Sequence, residues 1–430
     1  MNRKLLALMI LAFFNAFILE ELESMKFNSD LFIYGKVTTV DGQTYSGQIR
    51  WGKEEAFWFD HFNSSKPTNE YLNFLTDDEL DQLEENNRPR KRWFEGVHLW
   101  SNTYYSDNTH VFACQFGDIQ QIKPLRGDKL RVTTWNGIEW QLDGGSNDVG
   151  TSINIYETEI GTVKVAWDEV ELVEFYKETQ NHDSAYGLPL YGMVETTNGD
   201  FTGYLQWDHD ERLTEDELDG ETNYGDFSIK FGNIQSITRR RSGCNVILKS
   251  GRELYMTGSN DVDDGNRGVI INIPDMGRVD VPWDEFLKMT LTEEPSFNEA
   301  SFKANSEPII GSVSTENGHS ISGSLVFDLD ESAKCEFLNG KSGEIEYFIP
   351  FRNVKKIEPR NNDNTLVKLR NGEAILLSDK VDVNYKNDGV LVFVESDNPT
   401  YIPWFYFFHI SKWDEVLYLS RLSIQKFAFC

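Results

Sequence analysis

Alternating hydrophobic and polar positions run through most of the chain and predict β-strands with one buried face. Ile153 and Ile155 alternate with Asn154 and Tyr156, and residues 37–40 show the same period of two. Asp-Gly, Asn-Gly or Ser-Gly dipeptides separate many of these runs, which is the strongest short-range signal for a β-hairpin. The hydrophobic pattern therefore predicts an all-β protein.

The same succession of motifs occurs three times along the chain. Such a long-period repeat is better evidence for the fold than secondary structure assigned segment by segment. Residues 35–51, 192–207 and 311–327 each contain Gly-x-Val, then Asp-Gly or Asn-Gly, then Ser-Gly or Thr-Gly, and end in Trp or Phe. Three further segments correspond downstream, at 116–119, 231–234 and 351–354, and the three copies end near Trp167, Trp283 and Trp404. We therefore divide the chain into repeat one (31–176), repeat two (186–292) and repeat three (308–421).

Each repeat contains two related halves. Both halves have a glycine-bearing hairpin and end in an apolar strand after a short turn; Asp41-Gly42, Gly47 and residues 116–119 carry this unit in the first half. The unit resembles the small SH3-like and Sm-like β-barrels, and the resemblance implies a fold without an activity. The predicted architecture is three tandem repeats, each of two SH3/Sm-like β-barrel-type units. A six-bladed β-propeller is the alternative.

Repeat one carries an insertion at about residues 53–112. Trp51 and Phe116 are 65 residues apart, whereas the corresponding residues of the other repeats are 24 apart. Thr76 followed by Glu79 is a capping-box signature that predicts a helix starting there. Because an insertion on a repeated scaffold often forms the binding face, the insertion is the predicted partner surface. Its candidate binding residues are Trp58, Asp60, His61, Trp93, His98, Trp100, Tyr104 and Tyr105.

Residues 1–24 have the pattern of a secretory signal. Arg3 and Lys4 precede an apolar run at 5–19, and acidic residues follow it. The run is shorter than the ~20 residues of a spanning helix, although an uncleaved N-terminal anchor stays an alternative. The expected location is outside the cytoplasm, in the periplasm or at the cell surface.

The charge and the cysteines narrow the classes of partner and of fold. The formal net charge of −29 repels phosphate backbones and anionic membrane surfaces, so neither nucleic acid nor such a membrane is an expected partner. Cys114, Cys244, Cys335 and Cys430 are far apart in the sequence and form no metal-ribbon spacing. Stability is therefore expected to come from apolar cores, with Trp51, Trp167, Trp207 and Trp283 as repeated core residues.

Two groups of residues are candidate metal ligands. His61, His98 and His110 fall in the insertion, but their spacings of 37 and 12 match no zinc pattern. Gly-Ser-Asn-Asp-Val occurs in repeats one and two and offers oxygen ligands suited to calcium. Calcium is therefore the candidate cofactor. The same residues also serve as ordinary turn residues. The candidate calcium ligands are Asn147, Asp148, Asn260, Asp261 and Asp263.

The sequence favours an exported, non-catalytic binding or scaffold protein of the bacterial cell envelope. No phosphate loop, nucleophile elbow or metalloprotease motif is present, and the expected partner is a protein or a glycan of unknown identity. One alternative is a hydrolase acting on envelope glycans or peptides through Asp60, Glu79 or Asp148. Another alternative is a calcium-stabilised surface protein.

Overall fold

The computed structural model describes residues 31–87, 110–146, 148–178, 184–293, 305–315, 320–394, 398–404 and 424–429. Antiparallel strands dominate these residues, which confirms the all-β class. The segment with the predicted signal lies outside them. Within the described ranges, no helix has the length and apolar character needed to cross a membrane.

The described residues of each repeat contain ten strands. Repeat one contains β1 (Tyr34–Thr39), β2 (Thr44–Trp51), β3 (His61–Lys66), β4 (His110–Gln115), β5 (Ile119–Pro124), β6 (Leu130–Thr134), β7 (Glu139–Leu142), β8 (Ile153–Glu157), β9 (Gly161–Val165) and β10 (Val170–Phe175). Repeat two contains β11 (Tyr191–Thr196), β12 (Gly199–Trp207), β13 (Glu217–Thr222), β14 (Gly225–Lys230), β15 (Ile234–Arg240), β16 (Gly243–Leu248), β17 (Glu253–Met256), β18 (Val269–Ile273), β19 (Gly277–Val281) and β20 (Phe286–Leu291).

Repeat three follows the same order. Its strands are β21 (Ile310–Thr315), β22 (Ser320–Phe327), β23 (Phe337–Ser342), β24 (Ile345–Pro350), β25 (Val354–Pro359), β26 (Asn364–Leu369), β27 (Ala374–Ser378), β28 (Val390–Phe393), β29 (Thr400–Ile402) and β30 (Ile424–Phe429). The closing strand β30 lies beyond residue 421, where the repeat was expected to end. The α-helix α1 (Asp77–Asn87) belongs to the insertion.

The three repeats share one strand order. Repeat one forms the sheet β7-β6-β5-β10-β1-β2-β8-β9. The equivalent strands of repeat two and those of repeat three pair in the same order. In addition, each repeat has a hairpin between its second and fifth strands, formed by β3–β4, β13–β14 and β23–β24.

The sheets are open, which corrects the expectation of six small barrels. The closing strand β10 lies between β5 and β1, and β2 pairs with β8, so strands from the two halves of a repeat interleave in one sheet. No ladder among the described strands closes a barrel. The interleaving also differs from the six-bladed alternative, because a blade would contain the strands of one half alone.

The recurring Ser-Gly or Thr-Gly of the second strand has a steric cause. A Cβ on Gly203 would lie 2.5 Å from the carbonyl oxygen of Asn272 on the paired strand β18. A Cβ on Gly47 or Gly323 would lie even closer to a backbone carbonyl oxygen of the equivalent strand. A side chain at these positions would therefore push the two strands apart, so the sequence keeps glycine in all three repeats.

Aromatic side chains fill the cores as predicted. Trp51 and Trp207 are fully buried, Trp283 is nearly so, and Trp167 is half-buried against Trp51. The core of repeat one also contains Ala333 and Cys335 of repeat three, whereas repeats two and three share a second core. Cys114, Cys244 and Cys335 are buried free thiols.

The described part of the insertion around α1 packs against repeat three. The helix α1 begins with the predicted capping box, in which the Glu79 carboxylate accepts the backbone N–H of Thr76 at 2.8 Å. Leu75, Leu80 and Leu83 pack with a small apolar cluster of repeat three. This part of the insertion is therefore an internal contact between repeats.

Candidate functional site

A glutamate and an aspartate form a carboxyl pair at the same place in each repeat; the aspartates and Glu331 are buried, and Glu55 and Glu211 are half-buried. The glutamate stands four residues after the last residue of the second strand and forms a backbone bridge with that residue. The aspartate lies in the loop after the seventh strand of the repeat. We call Glu55 with Asp148, Glu211 with Asp261, and Glu331 with Asp382 the carboxyl pairs.

The aspartate of each carboxyl pair fixes the neighbouring hairpin. One carboxylate oxygen of Asp148 accepts the backbone N–H of Asn63 at 2.6 Å. Asp261 binds the N–H of Asp219 at 2.7 Å, and Asp382 binds that of Asn339 at 2.6 Å. The three donor N–H groups sit at equivalent positions of β3, β13 and β23, so the loop aspartate ties each hairpin to its sheet.

Burial raises the pKa of these carboxyl groups. It raises the pKa of Asp148 and of Asp382 to about 7 and that of Asp261 to about 6. Burial, followed by the charge of Asp261, raises the pKa of Glu211 to about 9. The pKa values of the other two glutamates lie well above the ordinary range for the same reasons. These shifts favour the neutral form of each glutamate, and with a pKa of about 9 Glu211 is neutral at pH 7.

A second set of acids lies where the repeats meet. Asp60, Asp216 and Glu336 each accept two backbone N–H groups from the turn that precedes them. Each also binds a cation of another repeat: Arg212 contacts Asp60, Arg50 binds Asp216 at 3.0 Å, and Lys66 binds Glu336 at 2.5 Å. These acids therefore stabilise a turn and an inter-repeat ion pair at once.

A small polar cavity opens beside Asp60. It encloses about 230 Å³ counted to its open mouth. The lining residues come from repeats one and two, and they are Glu55, Asp60, His61, Gln206, Arg212, Asn272 and Arg278. Ligand pockets usually measure about 300–1,000 Å³. The volume open to the centre of a water molecule is here about 10 Å³, which is room for about one water and too little for a sugar or a peptide.

His61 reaches from this cavity into repeat three. Its imidazole is 4.1 Å from the ring of Phe337 and 6.0 Å from that of Phe348. Burial and the positive charge of Arg278 hold the pKa of His61 well below its ordinary value. A neutral imidazole packed on aromatic rings indicates that His61 joins repeats one and three.

The other residues predicted to bind a partner are only partly described. Trp58 is half-buried and packs edge-on against Phe175 at 6.2 Å. Asp60 and His61 are buried at the meeting point of the repeats. Trp93, His98, Trp100, Tyr104 and Tyr105 lie outside the described residues.

The predicted calcium ligands that the structure describes make hydrogen bonds within the protein. The side-chain amide of Asn260 donates to Asp208 at 2.6 Å, and Asp263 accepts the N–H of Gly265 at 2.8 Å. Asn147 is outside the described residues. Among the residues that the structure covers, no three His, Cys, Asp or Glu side chains are grouped to hold a metal ion. The geometry favours the turn role, and calcium binding stays a prediction.

Sequence reasoning missed the glutamate of each carboxyl pair and the arginines at the cavity. The glutamates had a usable signal, since Glu55, Glu211 and Glu331 each follow the conserved aromatic position by four residues. Arg212 and Arg278 had none, because their equivalents in the other repeats differ. No protein-family model matches this chain, and no curated protein is similar to it in sequence.

Proposed function

We propose that the protein is a non-catalytic binding or scaffold protein of the bacterial cell envelope. The observation that carries this proposal is the structural role of Asp60 and Asp148, two of the acids that the alternative hydrolase would use. Asp60 holds a turn and an inter-repeat arginine, and Asp148 ties a hairpin to its sheet. Equivalent acids hold equivalent contacts in the other repeats, which is typical of structural roles.

The proposed partner surface is the part of the insertion that follows α1. Trp58, Asp60 and His61 pack between repeats, so they support the scaffold rather than meet a partner. The aromatic residues after α1 fall outside the repeat and remain the proposed contacts with a protein or a glycan. Export through residues 1–24 is part of the same proposal.

A capture experiment tests this assignment. The full-length protein carrying Trp100→Ala, Tyr104→Ala and Tyr105→Ala is expected to fold and to lose capture of envelope components that the wild type retains. Trp135→Ala is the matched control, because Trp135 is exposed on the β6–β7 turn of the same repeat. Equal capture by the triple variant and the control would overturn the assignment.

A hydrolase acting on envelope glycans or peptides is the weaker proposal. The raised pKa of Asp148 suits a general acid, and this is the observation in its favour. Incubation with purified peptidoglycan, followed by mass spectrometry of the soluble fraction, separates the two proposals. We expect no fragments; fragments released by the wild type and not by Asp148→Asn would establish the hydrolase.

A further inference from the structure

Repeats two and three are joined by the paired strands β19 and β24, which we call the β19–β24 joint. This joint is the template with which the equivalent strands of the other repeats are compared. The edge strand β19 pairs antiparallel with the hairpin strand β24, with Val279 opposite Tyr347 and Asp280 opposite Glu346. Val279 and Tyr347 are both buried in the shared core. Met276, in the turn before β19, is also buried, and its carbonyl accepts the side-chain amide of Asn353 at 3.2 Å.

Repeat one carries the first half of this joint in an open form. The strand β9 pairs with β8 in the register that β19 has with β18, and among the described strands it has no other partner. Val163, at the place of Val279, is only half-buried. Ile160, at the place of Met276, is 61% exposed, compared with 6% for the methionine.

Repeat two carries the second half of the joint, also open. The strand β14 pairs with β13 in the register that β24 has with β23, and no other described strand pairs with it. Phe227, at the place of Tyr347, is half-buried. Asn233 keeps the amide of Asn353 and is exposed.

We propose that β9 of one molecule pairs with β14 of a second molecule in the register of the β19–β24 joint. This register places Val163 opposite Phe227 and covers both apolar side chains. It also places Ile160 beside Asn233 of the second molecule. The contact is heterologous, since each molecule offers one β9 and one β14, and it therefore builds a ring or a chain of molecules.

The charges on the two edges are complementary in this register. Lys164 falls opposite Asp226, and opposite charges facing each other across strands are stabilising. Both side chains are exposed, and neither has an ion-pair partner among the described residues. In the template, Asp280 and Glu346 face each other, and each has another cation nearby: Arg278 lies 3.6 Å from Asp280, and Lys380 lies 2.5 Å from Glu346. The direct pair of unlike charges is thus specific to β9 and β14.

The two open edges do not pair within one molecule. Repeats one and two are held by the Arg212–Asp60 and Arg50–Asp216 ion pairs and by an aromatic cluster around Phe57. This packing leaves β9 and β14 apart. A second molecule is the occupant that supplies the complementary edge in the correct register, and covering both edges removes the liability of exposed strands.

A charge swap in the full-length protein tests the proposal. Sedimentation velocity from micromolar to millimolar concentration is expected to show association of the wild type. Lys164→Asp and Asp226→Lys should each weaken association by about tenfold, because each variant places like charges opposite each other. The protein with both substitutions should associate like the wild type. Lys123→Asp is the matched control, since Lys123 is exposed on β5, an internal strand.

Each alternative has its own result. A wild type that stays monomeric at every concentration overturns the proposal, and so does association that neither single variant weakens. Hydrogen exchange of the β9 amides gives a second readout, since self-association predicts protection that rises with concentration. Protection that is independent of concentration would show that another part of the same chain covers β9, which also overturns the proposal.

Discussion

Replacing Glu211 by glutamine should stabilise the protein at alkaline pH and have little effect at pH 5. Three other acids, Asp261, Asp210 and Asp208, face this glutamate, and Arg267 binds the last two of them. One oxygen of the Glu211 carboxyl group is buried and has no hydrogen-bond partner within the described residues. The folded protein therefore holds this carboxyl group in its neutral form, which glutamine imitates at every pH.

The sign and size of the effect follow from the pKa. The pKa of Glu211 is about 9 in the folded protein and near 4.5 ordinarily, so the folded state binds the proton more tightly. The free energy of unfolding then falls as pH rises through this window. At about 1.36 kcal/mol per pH unit the upper bound is about 6 kcal/mol. Solvent reaches part of this side chain and reduces the effect, so we expect about 2 kcal/mol at pH 9.

Urea unfolding at pH 5 and at pH 9 measures this difference. With an m value of about 3 kcal/mol/M, the midpoint of Glu211→Gln should exceed that of the wild type by about 0.7 M at pH 9. Glu253→Gln is the matched control, because Glu253 is an exposed glutamate of the same repeat. A Glu211→Gln midpoint that differs from the wild type equally at both pH values, or falls at pH 9, would refute a neutral Glu211.

Three further predictions address the junction, the strand contact and the metal. Arg212→Met leaves the buried Asp60 without its cation and should cost about 3 kcal/mol of unfolding free energy, much of which Asp60→Asn should restore; no recovery in the double variant would contradict the ion pair. Gly203→Ala should cost about 2 kcal/mol, because its Cβ meets the Asn272 carbonyl, whereas the neighbouring exposed Thr202→Ala should not alter the urea midpoint. Since the Asn-Asp-Val loops make turn contacts, chelator should leave the melting temperature unchanged; a lower melting temperature that added calcium restores would favour calcium binding instead.

Sequence patterns predicted the local structure well because local structure has local causes. The period-two alternation at 153–156 and the capping box at Thr76 and Glu79 depend on neighbours in the chain, and the structure confirms both. Burial of Trp51 and Trp207 followed from their equivalent positions in the repeats. Because the motif recurs in each repeat, burial could be predicted for all equivalent positions together.

The arrangement of strands and repeats was not predictable in the same way. Pairing of β10 between β5 and β1 depends on long-range contacts that leave no spacing signal in the sequence. The roles of Asp60 and His61 were obscured for the same reason, since their partners Arg212 and Phe337 lie in other repeats. Polar residues in an insertion resemble binding residues until the structure shows what they face.

The three repeats share one strand order but meet through three different contacts, and the insertion accounts for part of this difference. The insertion lies between β3 and β4, the hairpin equivalent to the one through which repeat three pairs with β19. Its helix α1 instead packs on repeat three, and Lys66 at the end of β3 binds Asp330 and Glu336 of that repeat. Repeat one is thus attached to repeat three through side chains rather than through an edge strand. Repeats one and two also meet through side chains. Among the described strands, the β19–β24 joint is therefore the only place where two repeats pair through edge strands. Equivalent edges that remain open elsewhere are then a consequence of how the insertion and the ion pairs close the molecule.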